Sequence, residues 1–443
     1  MRILFLHRNF PAQFRHLALV LAQDPAHQVV FITARPEGQL PGVHKYLYQV
    51  NRSVSPQTHR YVRPLEEAVG DGQAAWRVAR HLKIQQGFEP DLIYSHVGWG
   101  PGLFLRDLFP KARYLGFFEW YYHARGTDAD FDPADPIDED GAARIHVKNA
   151  SILLELAHCD GGVVPTNWQK QQFPPEFQPK LRVLHDGIDT DFFQPQPGQD
   201  LAWTPLAPLP PDPQAAWRAA PPLTPTADHM PYFWDQALDL RGQREIVTYV
   251  GRGMEPYRGF PQFMAAIALV LRRRPTCQVV IVGEDRVAYG QQLPDGKSHG
   301  QECLSRLDLP RSRIHFTGRI PYDRLRQVYQ ASAVHVYLTR PFVLSWSLLE
   351  SMACGAVVLG SRTPPVEEVI TDGFNGFLVD FFDVEAIAAQ IETLLDRQQD
   401  LGSVRAQARQ TVVDRYNLAQ LLPEHCRFLQ TLVTGPDPQG QAT

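Results

Sequence analysis

Short apolar runs alternate with helically spaced apolar stripes along most of the chain, and the alternation occurs twice. In the first half the runs fall at 3–6, 29–33, 92–95, 114–118, 162–164 and 181–184, which predicts strands. After the first run, Phe14, Leu17, Ala18 and Leu21 recur at helical spacing before the next strand opens at Val29. Strand, helix, strand at this length predicts a right-handed parallel crossover. The second half repeats the theme, with runs at 246–250, 279–282, 314–316, 334–338, 357–359 and 377–379. There Phe260, Phe263, Met264, Ile267, Val270 and Leu271 make one helical stripe, and Ile387, Ile391, Leu394 and Leu395 another. Both stripes read as core faces.

Between the halves the pattern breaks. Residues 194–231 hold 11 of the chain's 38 prolines, too dense for regular helix or interior strand. Trp203, Trp217 and Trp234 lie in or just beyond this stretch, so part of it is expected to dock on a domain surface. The predicted architecture is α/β, with two facing Rossmann-like domains at 1–193 and 244–413 and a Pro-rich linker at 194–243. A helix at 414–432 is expected to cross back to the first domain, leaving a frayed tail at 433–443. Sheets of this kind bind ligands at their C-terminal strand ends, so the expected active site is the interdomain cleft. The fold alone suits dehydrogenases, epimerases and binding proteins equally well, and function must come from the site.

Composition narrows the choice a little. A length of 443 residues is too great for one core, and a net charge of −5 leaves no electrostatic footprint for nucleic acid. Cys159, Cys277, Cys303, Cys354 and Cys426 are scattered, with no metal-binding spacing, so reduced thiols in a cytoplasmic protein are expected. No apolar run approaches the ~18 residues of a membrane span. The opening MRILFL reads as a strand, not a signal peptide. Peripheral membrane contact stays open.

The sharpest chemistry lies at 250–259, VGRGMEPYRG, between a strand and an amphipathic helix. Gly251 allows close backbone approach to a ligand, and Arg252 and Arg258 offer permanent charge and forked donors for phosphate oxygens. Neither GxGxxG nor GxxxxGK[ST] is present, which removes the dinucleotide and P-loop readings. A tight turn with two solvated arginines would read the same. At 341–355, PFVLSWSLLESMACG, a helix starting near Ser345 would aim its positive end at an anion. Glu350, one turn in, could accept two ribose hydroxyls, although Ser347 and Glu350 also have capping-box spacing.

Together these segments resemble the donor site of the family-4 retaining glycosyltransferases (group 1, GT-B type). VGRGMEPYRGF is similar to that family's VGR…KG element, with Arg258 where lysine is usual. SLLESMACGAVVLG is similar to its LLEAMACG helix and strand, TDGFNGFLV to its DG-x-NG turn, and VLHDGIDTDFF to its NG-x-D segment. The resemblance implies sugar transfer from a nucleotide-diphosphate sugar to a hydroxyl acceptor, with no metal or other cofactor. By it, Arg252 and Arg258 clamp the diphosphate, Glu350 holds the ribose, and Arg319 and Ile320 face the base. The family's first glutamate, eight positions before Glu350, is Phe342 here, so either backbone near Leu344 and Ser345 or another side chain serves the sugar, or the chain has lost activity. An Arg258→Ala variant is expected to fold normally and lose nucleotide affinity.

On the acceptor side, the turn after the strand at 92–95 carries His96, and that after 114–118 carries Glu119; either could hold the acceptor hydroxyl or take its proton. A satisfied structural histidine is the alternative for His96. The loop HRNFPAQF at 7–14 has no glycine and is expected to touch the acceptor instead of phosphate. Asp128, Asp130 and Asp132 alternate, and read as a solvated acidic loop instead of a metal site. A nucleotide-sugar epimerase and a non-catalytic nucleotide-sugar binder are the other classes this sequence allows.

Overall fold

The computed structural model describes residues 1–51, 53–203, 237–294 and 296–435. The chain divides into two compact units, Met1–Gly187 with Leu418–Thr443, and Ile188–Asn417. The first is built on parallel strands β1 (Arg2–Leu6), β2 (Gln28–Thr33), β3 (Val43–Leu47), β4 (Leu92–His96), β5 (Arg113–Phe117), β6 (Gly161–Val164) and β7 (Leu181–Val183), in the order β3-β2-β1-β4-β5-β6-β7. Alternate residues of β1 feed two cores: Leu4 and Leu6 pack on one face of the sheet, Ile3 and Phe5 on the other. Phe14, Leu17, Ala18 and Leu21 join the second core, as their spacing predicts, and Leu429 of the helix Leu418–Thr434 closes it.

Two elements of this unit lack a clear sequence signature. β3 has only Val43 buried, because it is the sheet's edge. The long helix Arg63–Gln86 buries Ala68, Ala74, Ala75 and Ala79, small residues that raise no apolar stripe.

The second unit opens earlier than the predicted domain boundary at 193/194. Ile188 and Phe193 are buried beside Tyr329, Leu348 and Met352, and Arg409 donates to the Thr190 and Phe193 carbonyls, so 188–193 packs with the second unit. The described ends of the Pro-rich stretch pair as β8 (Ala202–Trp203) and β9 (Leu238–Asp239), and Trp203 packs with Val280 and Val328. Trp217, Trp234 and the tail beyond Gly435 lie outside the described residues. The sheet proper contains β10 (Ile246–Gly253), β11 (Gln278–Glu284), β12 (Ile314–Gly318), β13 (Val334–Tyr337), β14 (Val358–Ser361) and β15 (Phe377–Val379). All run parallel in the order β12-β11-β10-β13-β14-β15. The last helix begins at Leu418 instead of 414, since 414–415 finish the helix Gly402–Arg415.

Each strand order reverses once, between β1 and β4 in the first sheet and between β10 and β13 in the second. Connections leave such a point in opposite directions and open a crevice at the C-terminal strand ends. Among the described residues, no helix is long and apolar enough to cross a membrane.

Candidate functional site

In the second unit the crevice is made by the segments after β10 and β13. The β10–β11 register shifts between Val250 and Gly253, a bulge that turns Arg252 outward to an exposed position, with no side-chain hydrogen bond among the described residues. The chain then runs through the turn Pro256–Arg258 into Gly259, whose φ of 61° starts the helix Phe260–Arg273. Arg258 faces inward. Its Nη1 donates to Thr339 Oγ1 at 2.8 Å, the Val343 carbonyl at 3.0 Å and Tyr337 Oη at 3.3 Å. Tyr337 Oη also accepts from the Ser345 amide at 2.9 Å, and Tyr249 Oη donates to the Arg258 carbonyl at 3.0 Å. Arg258 is thereby tied to both sides of the switch point, and its Nε and Nη2 make no hydrogen bond.

This geometry corrects one expectation. With the guanidinium 8% exposed, removing it in Arg258→Ala strands the Val343 carbonyl and Thr339, so that variant loses stability as well as any ligand contact.

Ser345, not Ser347, caps the helix Trp346–Ala353, accepting from the Ser347 amide. Glu350 therefore has no capping duty. It is 6% exposed, accepts from Tyr329 Oη at 3.2 Å on one oxygen, and leaves the other without a hydrogen bond. Burial pushes its carboxyl up to about 7, against the lowering effect of Tyr329. Leu344 is half-buried beside the same cap. Phe342 fills its position with an aromatic ring, edge-on to Tyr257 at 5.6 Å and Tyr289 at 5.3 Å. Arg319 is exposed and lies 3.7 Å from Glu284, while Ile320 packs in the core below it. The structure thus joins Arg258, Ser345 and the unforeseen Tyr337 and Thr339, and sets Arg319 apart at the ends of β11 and β12.

In the first unit the crevice holds a chain of polar groups. The Asn9 amide donates to His7 Nδ1 at 2.8 Å, which leaves His7 Nε2 to donate to Gln13 Oε1 at 3.0 Å. Gln13 Nε2 in turn donates to Glu119 Oε1 at 3.4 Å. The other Glu119 oxygen lies 3.6 Å from His96 Nε2, and the rings of His7 and His96 are 4.3 Å apart. His96 is 2% exposed with neither ring nitrogen hydrogen-bonded, whereas the Glu119 side chain is 35% exposed. Sequence reading found His96 and Glu119 and expected the loop 7–14 to touch the acceptor, but did not single out His7 and Gln13 within it.

The alternating aspartates separate. Asp130 accepts from the Gly126 amide and Asp132 from the Ala134 amide, whereas Asp128 is buried at 4% exposure, which corrects the solvated-loop reading for that residue. Among the described residues, no group of three or more His, Cys, Asp or Glu is placed to hold a metal ion.

Residues 25–193 match the model of the Glycosyl transferase family 4 group, and residues 233–411 that of Glycosyl transferases group 1. A D-inositol 3-phosphate glycosyltransferase of Segniliparus rotundus is 28% identical over 168 residues, 38% of this chain and 36% of that protein. The chain spans about a third of the length of the curated relatives it matches. Among solved structures, sucrose-phosphate synthase from Thermosynechococcus elongatus superposes with a TM-score of 0.65 at 18% identity, over 98% of this chain and 100% of that one. Anabaena HepE, solved in complex with UDP-glucose, gives 0.62 at 15% identity, over 97% and 100%. At such identity the likeness is one of fold. Both units therefore match glycosyltransferase family models, and the chain has the two-domain Rossmann-like GT-B fold.

Proposed function

We propose that the chain transfers a sugar from a nucleoside-diphosphate donor to a hydroxyl acceptor, with retention at the anomeric carbon. The observation that carries this reading is Arg258, fixed at the switch point of the second sheet by Thr339, Val343 and Tyr337. A guanidinium held in this way meets negative charge without reorganising, and breaking the anomeric bond leaves such charge on the departing diphosphate. Arg252 adds a second cation on the bulge, and the Ser345 end of the helix adds a positive dipole. We assign the neutralisation of the diphosphate to these groups, without a metal. Glu350 takes the ribose hydroxyls on its open oxygen. HepE, solved with UDP-glucose and with UDP, supports a nucleotide-sugar donor.

On the acceptor side, we assign Glu119 to the incoming hydroxyl. It is the accessible member of its cluster, aimed by Gln13 and backed by His96. Product analysis by NMR would read the anomeric configuration, and inversion would remove retention from the proposal.

Arg252→Ala is expected to leave thermal unfolding unchanged, since no internal bond is lost. UDP-glucose affinity should fall by roughly 10- to 100-fold in calorimetric titration. Equal affinity would take the bulge out of the diphosphate site. Glu350→Gln keeps the shape but accepts fewer hydroxyl hydrogens, so UDP binding should weaken by about tenfold while pyrophosphate binding holds. Parallel losses for both ligands would sink the ribose assignment.

A further inference from the structure

Trp99, on the turn after β4, is 44% exposed, and the fold holds it there. Gly98 and Gly100 flank it with φ of 98° and 95°, backbone that side-chain-bearing residues rarely adopt. A Cβ on Gly100 would lie 2.0 Å from the Ala68 carbonyl oxygen, so the turn is pressed against the helix Arg63–Gln86 and cannot relax to bury the indole. Arg8, from the loop after β1, sets its guanidinium 5.7 Å from the centre of the Trp99 ring. Behind Arg8 stands Asp71, 4% exposed, with its Oδ1 at 4.0 Å from Arg8 Nε and accepting from Tyr48 Oη at 2.6 Å.

A buried carboxylate, a guanidinium and an exposed indole are thus lined up at the switch point of the first sheet. They adjoin His96, which precedes Trp99 on the same turn. We infer that Trp99, with Arg8 and Asp71 behind it, is the stacking platform of an acceptor subsite that takes a pyranose ring. The inference rests on the transferase reading and names its acceptor class. A pyranose has a face of C–H groups that suits the electron-rich face of indole, and a rim of hydroxyls that guanidinium N–H groups can bond. The glycines on either side of Trp99 carry no apolar side chain, so the surface at this turn is one ring with a cationic edge. An alkyl chain would offer the Arg8 N–H groups no acceptor. Asp71 acts through Arg8 and is a positioning residue.

Saturation-transfer NMR with methyl α-D-glucopyranoside, methyl α-D-mannopyranoside and methyl β-D-galactopyranoside tests the platform, with calorimetric titration of UDP-glucose on the same samples. The wild-type chain should transfer saturation to the ring C–H protons of at least one pyranoside. Trp99→Ala should weaken that binding by about tenfold, Trp99→Phe should restore most of it, and UDP-glucose affinity should be the same in all three. Pyranoside signals that survive in Trp99→Ala overturn the inference. So does their absence from a wild-type chain that binds UDP-glucose. If UDP-glucose fails to bind while pyranoside binding still depends on Trp99, the platform stands and the transferase reading falls.

Discussion

A Gly283→Ala variant is expected to lose UDP-glucose binding and to lower the stability of the second unit by about 3–5 kcal/mol. Gly283 has a φ of 135°, and a Cβ there would lie 2.0 Å from the Gly251 carbonyl oxygen. The collision is with backbone, so no rotamer relieves it. Relief requires β10 and β11 to part at the bulge between Val250 and Gly253. That movement carries Arg252 out of place and disturbs the Met254 amide, which donates to the Arg286 carbonyl at 3.1 Å. Hydrogen exchange over 246–253 and 278–284 should accelerate, while peptides from β4 and β5 stay protected. A variant that binds UDP-glucose like the parent would show that the bulge does not position the donor.

The sequence carries most of the second sheet because its strands are buried runs of Val and Ile between glycine turns. Its helices show stripes of large residues such as Phe260, Phe263 and Ile267. The same rule fails for the helix Arg63–Gln86, where burial falls on alanines and glycines that carry little hydrophobic signal. It also fails for β3, an edge strand whose Lys45 leaves the sheet to bond the carbonyls of Pro36, Glu37 and Gly38.

At the candidate sites, the groups nearest the sequence motifs were legible and their supports were not. Arg258 stands in a recognisable segment, but Tyr337 ends β13 and Thr339 follows it, far along the chain, and only the parallel pairing of β10 with β13 brings them together. The spacing of Ser347 and Glu350 suggested a capping box, whereas the cap is Ser345, so the Glu350 carboxylate accepts from Tyr329 instead of capping the helix. Phe342 is explained by its neighbours: with Tyr257 and Tyr289 on it, that position is an aromatic contact.

The second large effect concerns Glu155, behind the turn that carries His96 and Trp99. It is 2% exposed and accepts from Tyr114 Oη at 3.0 Å. Burial outweighs the lowering effect of Tyr114 and pushes its carboxyl up to about 8, from an ordinary 4.5. The folded chain therefore holds this proton over a range where the unfolded chain has released it. Stability is greatest below the unfolded value and is lost as pH rises toward the folded one. Between about pH 5 and about pH 9 the loss should reach roughly 3–5 kcal/mol, read as falling hydrogen-exchange protection of β4 and the helix Ala150–His158 after correction for intrinsic rates. Glu155→Gln, neutral throughout, should match the parent near the acid end, flatten the profile, and be the more stable chain at the alkaline end. Glu155→Ala takes the acceptor away from the buried Tyr114 hydroxyl and should destabilise the unit at every pH. Parallel profiles for the parent and Glu155→Gln would mean that Glu155 does not titrate in this range.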